Sequence, residues 1–502
     1  MRLTVRFSGV LLCIFLAWGI GLRLHHLDQR SMWTDELFTA AIALYHPLVP
    51  EAGQPLYRRI QVTDIKDGDS FLTAKAAEQS PPLNDLLEKA TINWLGATEF
   101  AARLPAALMA CLLLVWFAGF AWRHPDPALR RVLRWSLFLL ALQPTLILYA
   151  QEGRAYSAGV SLLGMGGLLW MLRWRAGWRH WRPPGWVEIA LFSLASYAHY
   201  NAALLVALLL LPDVVMTIRQ RSFQGWIRLG AIGIVFSAWL LLNAHTIIYT
   251  SEGRVGWGNT NPWDQVIWNA IQDAGAILHP YWLGLAAALL VILIAAKNWK
   301  PRAYDYLSSA TASRLCALAG LTLIYLVLAG KVAATAGMAH PRFFIFVVPF
   351  AVVMIAILLA EIRHYWAILV LALLFAACAS PSMRLDESTN KDDFRAMTIA
   401  AVRESNDDTV YLYALAPLRD VYRVSMHRYL GADPIQRMTE IAVEQDAGKV
   451  CERLQGENEV VAVGHAWGQS LVDAVYTACG RQWPIRTVEK FHQTFTEHWR
   501  VK

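Results

Sequence analysis

A polytopic α-helical membrane protein with a small extracytoplasmic α/β domain at its C-terminus is the fold class this sequence predicts. Three observations predict it. Charged residues make up only 17% of the 502 positions and hydrophobic ones 56%, whereas soluble domains are roughly one quarter charged. Charge-free runs of about 15 to 20 residues, near the length that crosses a bilayer as a helix, recur between arginine-rich patches. Beyond about residue 386 these runs give way to alternating helix and strand patterns. Only helices or closed barrels satisfy their backbone in lipid, and continuous rather than alternating apolarity argues against a barrel.

About eleven spans are expected, at 5–23, 104–122, 134–150, 155–172, 186–200, 202–218, 228–247, 281–296, 315–333, 343–361 and 365–380. The first apolar run, Phe7 to Leu22, follows Arg2 and Arg6 as a signal peptide would. No small-x-small cleavage pattern comes after it, so it reads as an uncleaved span.

Loop charge gives the topology. One set of segments holds Arg2 and Arg6; Arg123, Arg130, Arg131 and Arg134; and Arg173, Arg175, Arg179 and Arg182. It continues with Arg219, Arg221 and Arg228; Lys297, Lys300, Arg302 and Arg314; and Arg363. The short loops of the opposite side hold only Arg154, Arg254, Lys331 and Arg342. This bias puts the first set and the N-terminus in the cytoplasm. The loop 24–102 then lies outside, as do the connections near Gln151, His199, Asn259 and His340. The chain divides into a membrane domain, 1–381, and an external domain, 382–502. The net charge of +7 is thus topological, and no nucleic-acid partner is expected.

Cys13, Cys111, Cys316 and Cys378 fall in apolar spans, where cysteine acts as a small hydrophobe. Cys451 and Cys479 fall in the external domain, where a disulfide could persist. No Cys/His set has metal-ligand spacing, so no zinc site is assigned. In the external domain "NKDDFRAMTIAAVRES" predicts an amphipathic helix and "DTVYLYALA" a buried strand. Helical patterns follow at 418–430, 438–455 and 468–480, with "EVVAVGH" as a second strand and a third within 486–501.

Functional-looking side chains gather in the outward loops. "SMWTDELFTA" carries Asp35 and Glu36; a polar insert, about 53–79, precedes "SPPLNDLLEKATINWLGATEFAARLPAAL". "YAQEGRAY" carries Glu152, Arg154 and Tyr156, "YAHYN" carries His199, and "MAHPRFF" carries His340 and Arg342. A carboxylate at a water boundary can take a proton from a hydroxyl or amine, and arginines can hold a phosphate as it leaves. The bland alternatives are a solvated loop pair or a cap built on Thr34 and Asp35, a surface ion pair for Glu152–Arg154, and an interfacial role for His199. Glu188 and Asp213, near cytoplasmic span ends, read as structural. Tryptophan-rich stretches such as "RWRAGWRHWRPPGW" read as interfacial belts.

Taken together, these motifs resemble those of the GT-C superfamily of polyprenyl-phosphate-sugar-dependent membrane glycosyltransferases. The likeness is to bacterial members akin to protein O-mannosyltransferases and the lipid A aminoarabinose transferase. It rests on "MWTDELFTA", "SPPLNDLL", "TEFAARLPAAL", "YAQEGRAY" and "ASYAHYNA", in that order, and on "NKDDFRAMTIAAV" at the start of the external domain. The resemblance implies an inverting sugar transfer at the outer face of a bacterial inner membrane, from an isoprenoid-phosphate donor to a cell-envelope acceptor. It implies Asp35 as the base, Glu36 assisting it, and Glu152, Arg154, Tyr156, His199, His340, Arg342, Pro81 and Pro82 around the substrates. Relatives carry a basic residue where this chain has Ser80; Arg58, Arg59 and Lys75 of the nearby insert are the candidates to replace that charge. No cofactor is specified, although carboxylates could hold Mg²⁺ or Mn²⁺ through oxygen. The rival reading, a transporter of lipid-linked glycan or a catalytically altered relative, would call for charges at mid-membrane or broken helices in matched repeats. Neither pattern is evident.

Overall fold

The computed structural model describes residues 2–33, 35–37, 39–40, 49–50, 60–61, 80–96, 98–174, 180–254, 310–335, 341–360, 393–403, 405–406, 409–413, 439–442, 447–465, 469–479, 482–491 and 494–501, with single residues at 272, 373 and 377. The expected spans 281–296 and 365–380 and the helical pattern 418–430 lie outside them. The helices of the apolar region are α1 (Arg2–Leu24), α2 (Leu83–Leu95), α3 (Glu99–Arg123), α4 (Pro127–Leu142), α5 (Pro144–Ala150), α6 (Ala155–Trp174), α7 (Trp186–Ala198), α8 (Tyr200–Arg219), α9 (Phe223–Arg254) and α10 (Ala310–Thr335). A 3₁₀ segment, Pro341–Val347, leads into α11 (Val348–Ala360). The other expected spans are helical over their described residues except at Gln143 and His199, where 134–150 and 186–200 are interrupted.

Among the described residues, α3, α6, α8 and Phe223–Leu241 of α9 are long and apolar enough to cross a membrane, and the bent pair α4–α5 would make a fifth. Shorter apolar helical stretches are Leu12–Leu24, Trp186–Ala198, Ala319–Lys331 and Arg342–Ile357. The 13 residues of α7 rise about 20 Å against a hydrocarbon core of about 30 Å.

Proximity of the backbone divides the chain into two units. The first contains Met1–His25, Ser80–Asn84 and Arg103–Leu385; the second contains His26–Gln79, Asp85–Ala102 and Asp386–Lys502.

In the first unit, the expected straight span 134–150 is broken, bending by 58° between α4 and α5. Proline 144 is the cause. It has no N–H for the Leu140 carbonyl and pushes Gln143 to an extended ψ of 112°. Gln143 then caps α5, its Oε1 accepting from Thr145 N at 3.3 Å, so the Ala141 carbonyl also loses its helical donor. Arg23 of α1, fully buried, supplies both: Nη2 donates to Leu140 O at 2.7 Å and Nη1 to Ala141 O at 3.0 Å. Helices α1 and α4 can come this close because Gly19 has no side chain; a Cβ there would stand 2.8 Å from the Ala141 Cβ. Replacing Arg23 by Met is expected to destabilise the protein by roughly 2–6 kcal/mol, at about 1–3 kcal/mol per buried carbonyl left without a donor. Thermal unfolding in detergent measures it; an unchanged midpoint would show that the break satisfies itself.

At the far end of α6, Arg173 joins three helices. It pairs with Glu188 of α7 at 2.7 Å and Asp213 of α8 at 2.5 Å, and Asp213 also accepts from Trp181 Nε1 at 2.7 Å and Trp174 Nε1 at 3.3 Å. Glu188 and Asp213 are therefore structural, as expected. Trp181 is buried in this cluster rather than lying in an interfacial belt. Small residues on α6 allow the packing, since a Cβ on Gly166 would meet Phe192 of α7 at 2.8 Å.

The second unit holds a five-stranded sheet, ordered β4-β3-β5-β7-β6, from β3 (Val410–Tyr413), β4 (Thr439–Ala442), β5 (Glu459–His465), β6 (Ile485–Phe491) and β7 (Thr494–Arg500). A separate two-stranded ribbon pairs β1 (Val49–Pro50) with β2 (Ile60–Gln61). Strands β3, β4 and β5 are parallel, and β7 is antiparallel to both its neighbours. Alternate residues Val410, Leu412, Val460, Ala462, Phe495 and Trp499 face a core with α13 (Ala447–Arg453) and α14 (Gln469–Cys479). Helix α12 (Phe394–Arg403) packs on the other face, where Thr496 Oγ1 donates to Met397 O at 3.1 Å. Two expectations are corrected here. Thr439–Ala442, within the helical pattern 438–455, form a strand, because "TEIA" pairs along β3. The single strand expected within 486–501 is a hairpin of two. Burial and then the neighbouring Cys451 push the Cys479 thiol up to about 12.

Candidate functional site

In the second unit the acidic motif forms the first turn of a short helix. Trp33 starts it: its carbonyl accepts from Leu37 N at 3.0 Å, while its own N–H donates to Glu36 Oε2 at 3.3 Å. This is the reach-back bond of a capping box, with Glu36 in the third helical position. Thr34 lies outside the described residues. Asp35 sits inside the first turn rather than at its cap, so the two carboxylates have different surroundings. Glu36 is buried and engaged with the backbone; Asp35 is half-buried, and its carbonyl accepts from Thr39 Oγ1 at 3.2 Å. Met32, Leu37 and Ala40 bury the remaining faces.

In the first unit "YAQEGRAY" is the turn between α5 and α6. Gln151 caps α5 and its side-chain amide donates to Leu22 O at 2.7 Å and His25 O at 3.0 Å, tying the turn to the end of α1. The chain then doubles back at Glu152, whose carbonyl accepts from Arg154 N at 2.8 Å. Glu152 and Tyr156 are buried, Arg154 half-buried.

The expected connection at His199 is a single residue. His199 closes α7 and opens α8 with an extended backbone (φ −158°, ψ 138°), and its Nδ1 accepts from Asn201 N at 3.1 Å. An accepting Nδ1 places the proton of the neutral ring on Nε2. The ring lies 5.1 Å from that of Tyr156 and 4.8 Å from that of Phe346, centroid to centroid, and Tyr156 in turn meets Tyr149 at 5.2 Å. Gly159 makes room, since a Cβ there would be 2.9 Å from Phe346. The Arg342 guanidinium stands 5.9 Å from the Tyr156 centroid and 5.6 Å from that of Phe343, and the charges of Arg154 and Arg342 both act on the His199 ring. Three turns distant in sequence thus meet as one aromatic cluster with the Arg342 guanidinium beside it.

Of the residues read from sequence, Arg154, Tyr156, His199 and Arg342 come together. Pro81 and Pro82 are buried just before α2. Arg58, Arg59, Lys75 and His340 lie outside the described residues. Sequence reasoning missed Tyr149, Phe346 and Tyr325; the Tyr325 hydroxyl donates to Phe343 O at 2.7 Å and anchors the 3₁₀ segment. Its signal was a lone phenol in an apolar span, which needs a partner when buried.

No protein-family model matches the chain, and no curated protein sequence does. Solved structures do match. ArnT from Cupriavidus metallidurans bound to undecaprenyl phosphate aligns with a TM-score of 0.55 at 12% identity, covering 97% of each chain. The apo state of the same protein gives 0.47 at 12% identity, over 97% of this chain and 98% of that one. The oligosaccharyltransferase AglB from Archaeoglobus fulgidus, with an inhibitory peptide and a dolichol phosphate, gives 0.46 at 11% identity, over 99% of this chain and 74% of that one. The last two scores are too low to carry an argument. The first shows that this chain shares the fold of that ArnT structure over 97% of its length.

Proposed function

We propose that the protein is an integral membrane glycosyltransferase, moving a sugar from a polyprenyl-phosphate donor to a cell-envelope lipid, glycan or protein at the outer face of the cytoplasmic membrane. The observation that carries this reading is the Arg342 guanidinium set against the Tyr156–His199–Phe346 cluster, with Arg154 on the turn that leads to Tyr156. A guanidinium beside aromatic faces, with a second arginine on the adjoining turn, suits a phosphate on an apolar chain. Undecaprenyl phosphate, the lipid bound by the ArnT structure that shares the fold, has that form. The arginine bias of the loops supports the outer face, with residues 1–381 as the membrane domain and 382–502 outside.

In the proposed step the acceptor hydroxyl or amine loses its proton to the Asp35 carboxylate and attacks the anomeric carbon. The bond from that carbon to the phosphate oxygen breaks in the same displacement, which inverts the configuration. The electron pair leaves on the lipid phosphate, whose added charge Arg154 and Arg342 neutralise. Glu36 holds the turn that carries the base. No metal is assigned a role.

Purified full-length protein should bind undecaprenyl phosphate, and Arg342→Ala and Arg154→Ala should each weaken that binding about 10- to 100-fold, at about 1.5–3 kcal/mol per charged hydrogen bond. Native mass spectrometry measures it, and equal binding by both variants would remove the arginines from the phosphate role. Mass analysis of envelope lipids and glycans from cells with and without the protein tests the reaction. Identical profiles would sink the transferase reading.

A further inference from the structure

The motif "KDDFRAM", at the start of the external domain, has no part in the proposed chemistry, yet its residues are used. Asp393 caps α12, Oδ1 accepting from Ala396 N at 3.0 Å, and Phe394 is buried. Arg395 binds the segment that leads to the acidic motif. Its Nη2 donates to Asp28 O at 3.0 Å and Arg30 O at 3.4 Å, and its Nη1 to Gln29 O at 3.2 Å. Its backbone N–H donates to Ser31 Oγ at 3.0 Å. Glu99, from the "TEFAARLP" motif, pairs with Nη2 at 2.5 Å. All of these residues belong to the second unit.

Three consecutive carbonyls reach one cation only where the chain turns tightly. The turn follows His26, which holds φ at 55°, in the left-handed region that a non-glycine residue adopts at a cost. Such conformations persist where the surroundings over-determine them. The planar guanidinium fork supplies several donors at fixed angles, which a lysine ammonium does not. Just beyond the turn come Ser31, buried Met32, the Trp33–Glu36 cap and Asp35.

We infer that Arg395 is the positioning residue for the acidic motif: it clamps the carbonyls of Asp28, Gln29 and Arg30, with Glu99 fixing the clamp, and so sets where the Asp35 carboxylate is held. The inference rests on the reading of Asp35 as the base. Arg395 touches neither donor nor acceptor in this scheme and acts through the turn. It accounts for two motifs, around Arg395 and Glu99, that the reaction itself leaves unused.

The test uses the full-length protein in detergent and in membranes. Hydrogen exchange in Arg395→Ala should rise about tenfold or more over residues 26–37 and stay unchanged in β5 and β7, which reports that the sheet is folded. Affinity for undecaprenyl phosphate, the probe for the donor's lipid phosphate, should stay within about twofold. Turnover in membranes should fall roughly 10- to 100-fold, the scale expected when a reacting group is misplaced by about 1 Å. Arg395→Lys should lose nearly as much, and Glu99→Gln, which keeps the packing, should show the same pattern more weakly. Unchanged exchange over 26–37 would overturn the clamp. Raised exchange with full turnover, or a loss of undecaprenyl-phosphate affinity that accounts for the loss of turnover, would overturn the positioning role. Asp35→Asn separates the two readings. If that variant is inactive while Arg395→Ala is fully active, this inference fails alone; if it is fully active, the base assignment fails and the positioning role falls with it.

Discussion

Asp35→Asn should lower the proposed sugar transfer in membranes by roughly two to four orders of magnitude, the range expected when a positioned general base is removed. Asparagine matches aspartate in size and cannot take the acceptor's proton. The turn should survive the change, because its cap is the bond between Trp33 N–H and Glu36 Oε2 and its next backbone bond runs from Leu37 N to Trp33 O. Neither uses the Asp35 carboxylate. Expression, insertion and thermal midpoint should therefore match the parent. Glu36→Gln gives the contrast, since a glutamine oxygen still accepts from Trp33 N–H and the expected loss of activity is small. Glu36→Ala loses the cap and should lower stability by about 0.5–2 kcal/mol. Mass spectrometry of the modified acceptor reads the first effect and thermal unfolding the second. Full activity in Asp35→Asn would take this carboxylate out of the mechanism.

The second large effect is on stability. Arg173→Met should destabilise the bundle by about 3–5 kcal/mol, because it leaves Glu188 and Asp213 buried without their cation. The indole donors of Trp174 and Trp181 remain on Asp213 but carry no charge. Adding Glu188→Gln and Asp213→Asn to that variant should recover much of the loss, since the burial of uncompensated charge is then removed. At temperatures where Arg173→Met stays folded, undecaprenyl-phosphate binding should be unaffected. The cluster sits at the end of α6 opposite Tyr156, some 25 Å away at 1.5 Å per residue. A midpoint unchanged from the parent would mean that water reaches the two carboxylates.

Apolar runs made the helices legible in the sequence, because burial in lipid needs little more than length and the absence of charge. The breaks were less so. Pro144 lies inside the expected span 134–150 and removes a helical donor, but Pro212 sits within the unbroken α8, so the bend was not readable from the proline alone. The connection at His199 was placed by the spacing of the apolar runs, although it has neither glycine nor proline; that it is one residue, capped by an imidazole accepting from Asn201 N–H, was not legible. The strand β4 was hidden in a helical pattern because its conformation is set by β3, some thirty positions earlier. Of the candidate site, the motifs and their residues were legible. The Tyr149–Tyr156–His199–Phe346 contacts were not, since they join three turns brought together only by packing of α6, α7 and the 3₁₀ segment.

The pairing of Arg23 with the broken helix bears on how the chain is made. A ribosome delivers α1 more than a hundred residues before the carbonyls of Leu140 and Ala141 exist. Until then the arginine lacks those two acceptors, with the Gly19 carbonyl of its own helix still within reach, so α1 cannot take its final place. Biogenesis should therefore run out of order, with the N-terminal helix settling only after α4 and α5 emerge. Nascent chains stalled before residue 142 should leave that helix extractable, and chains stalled well past α5 should not.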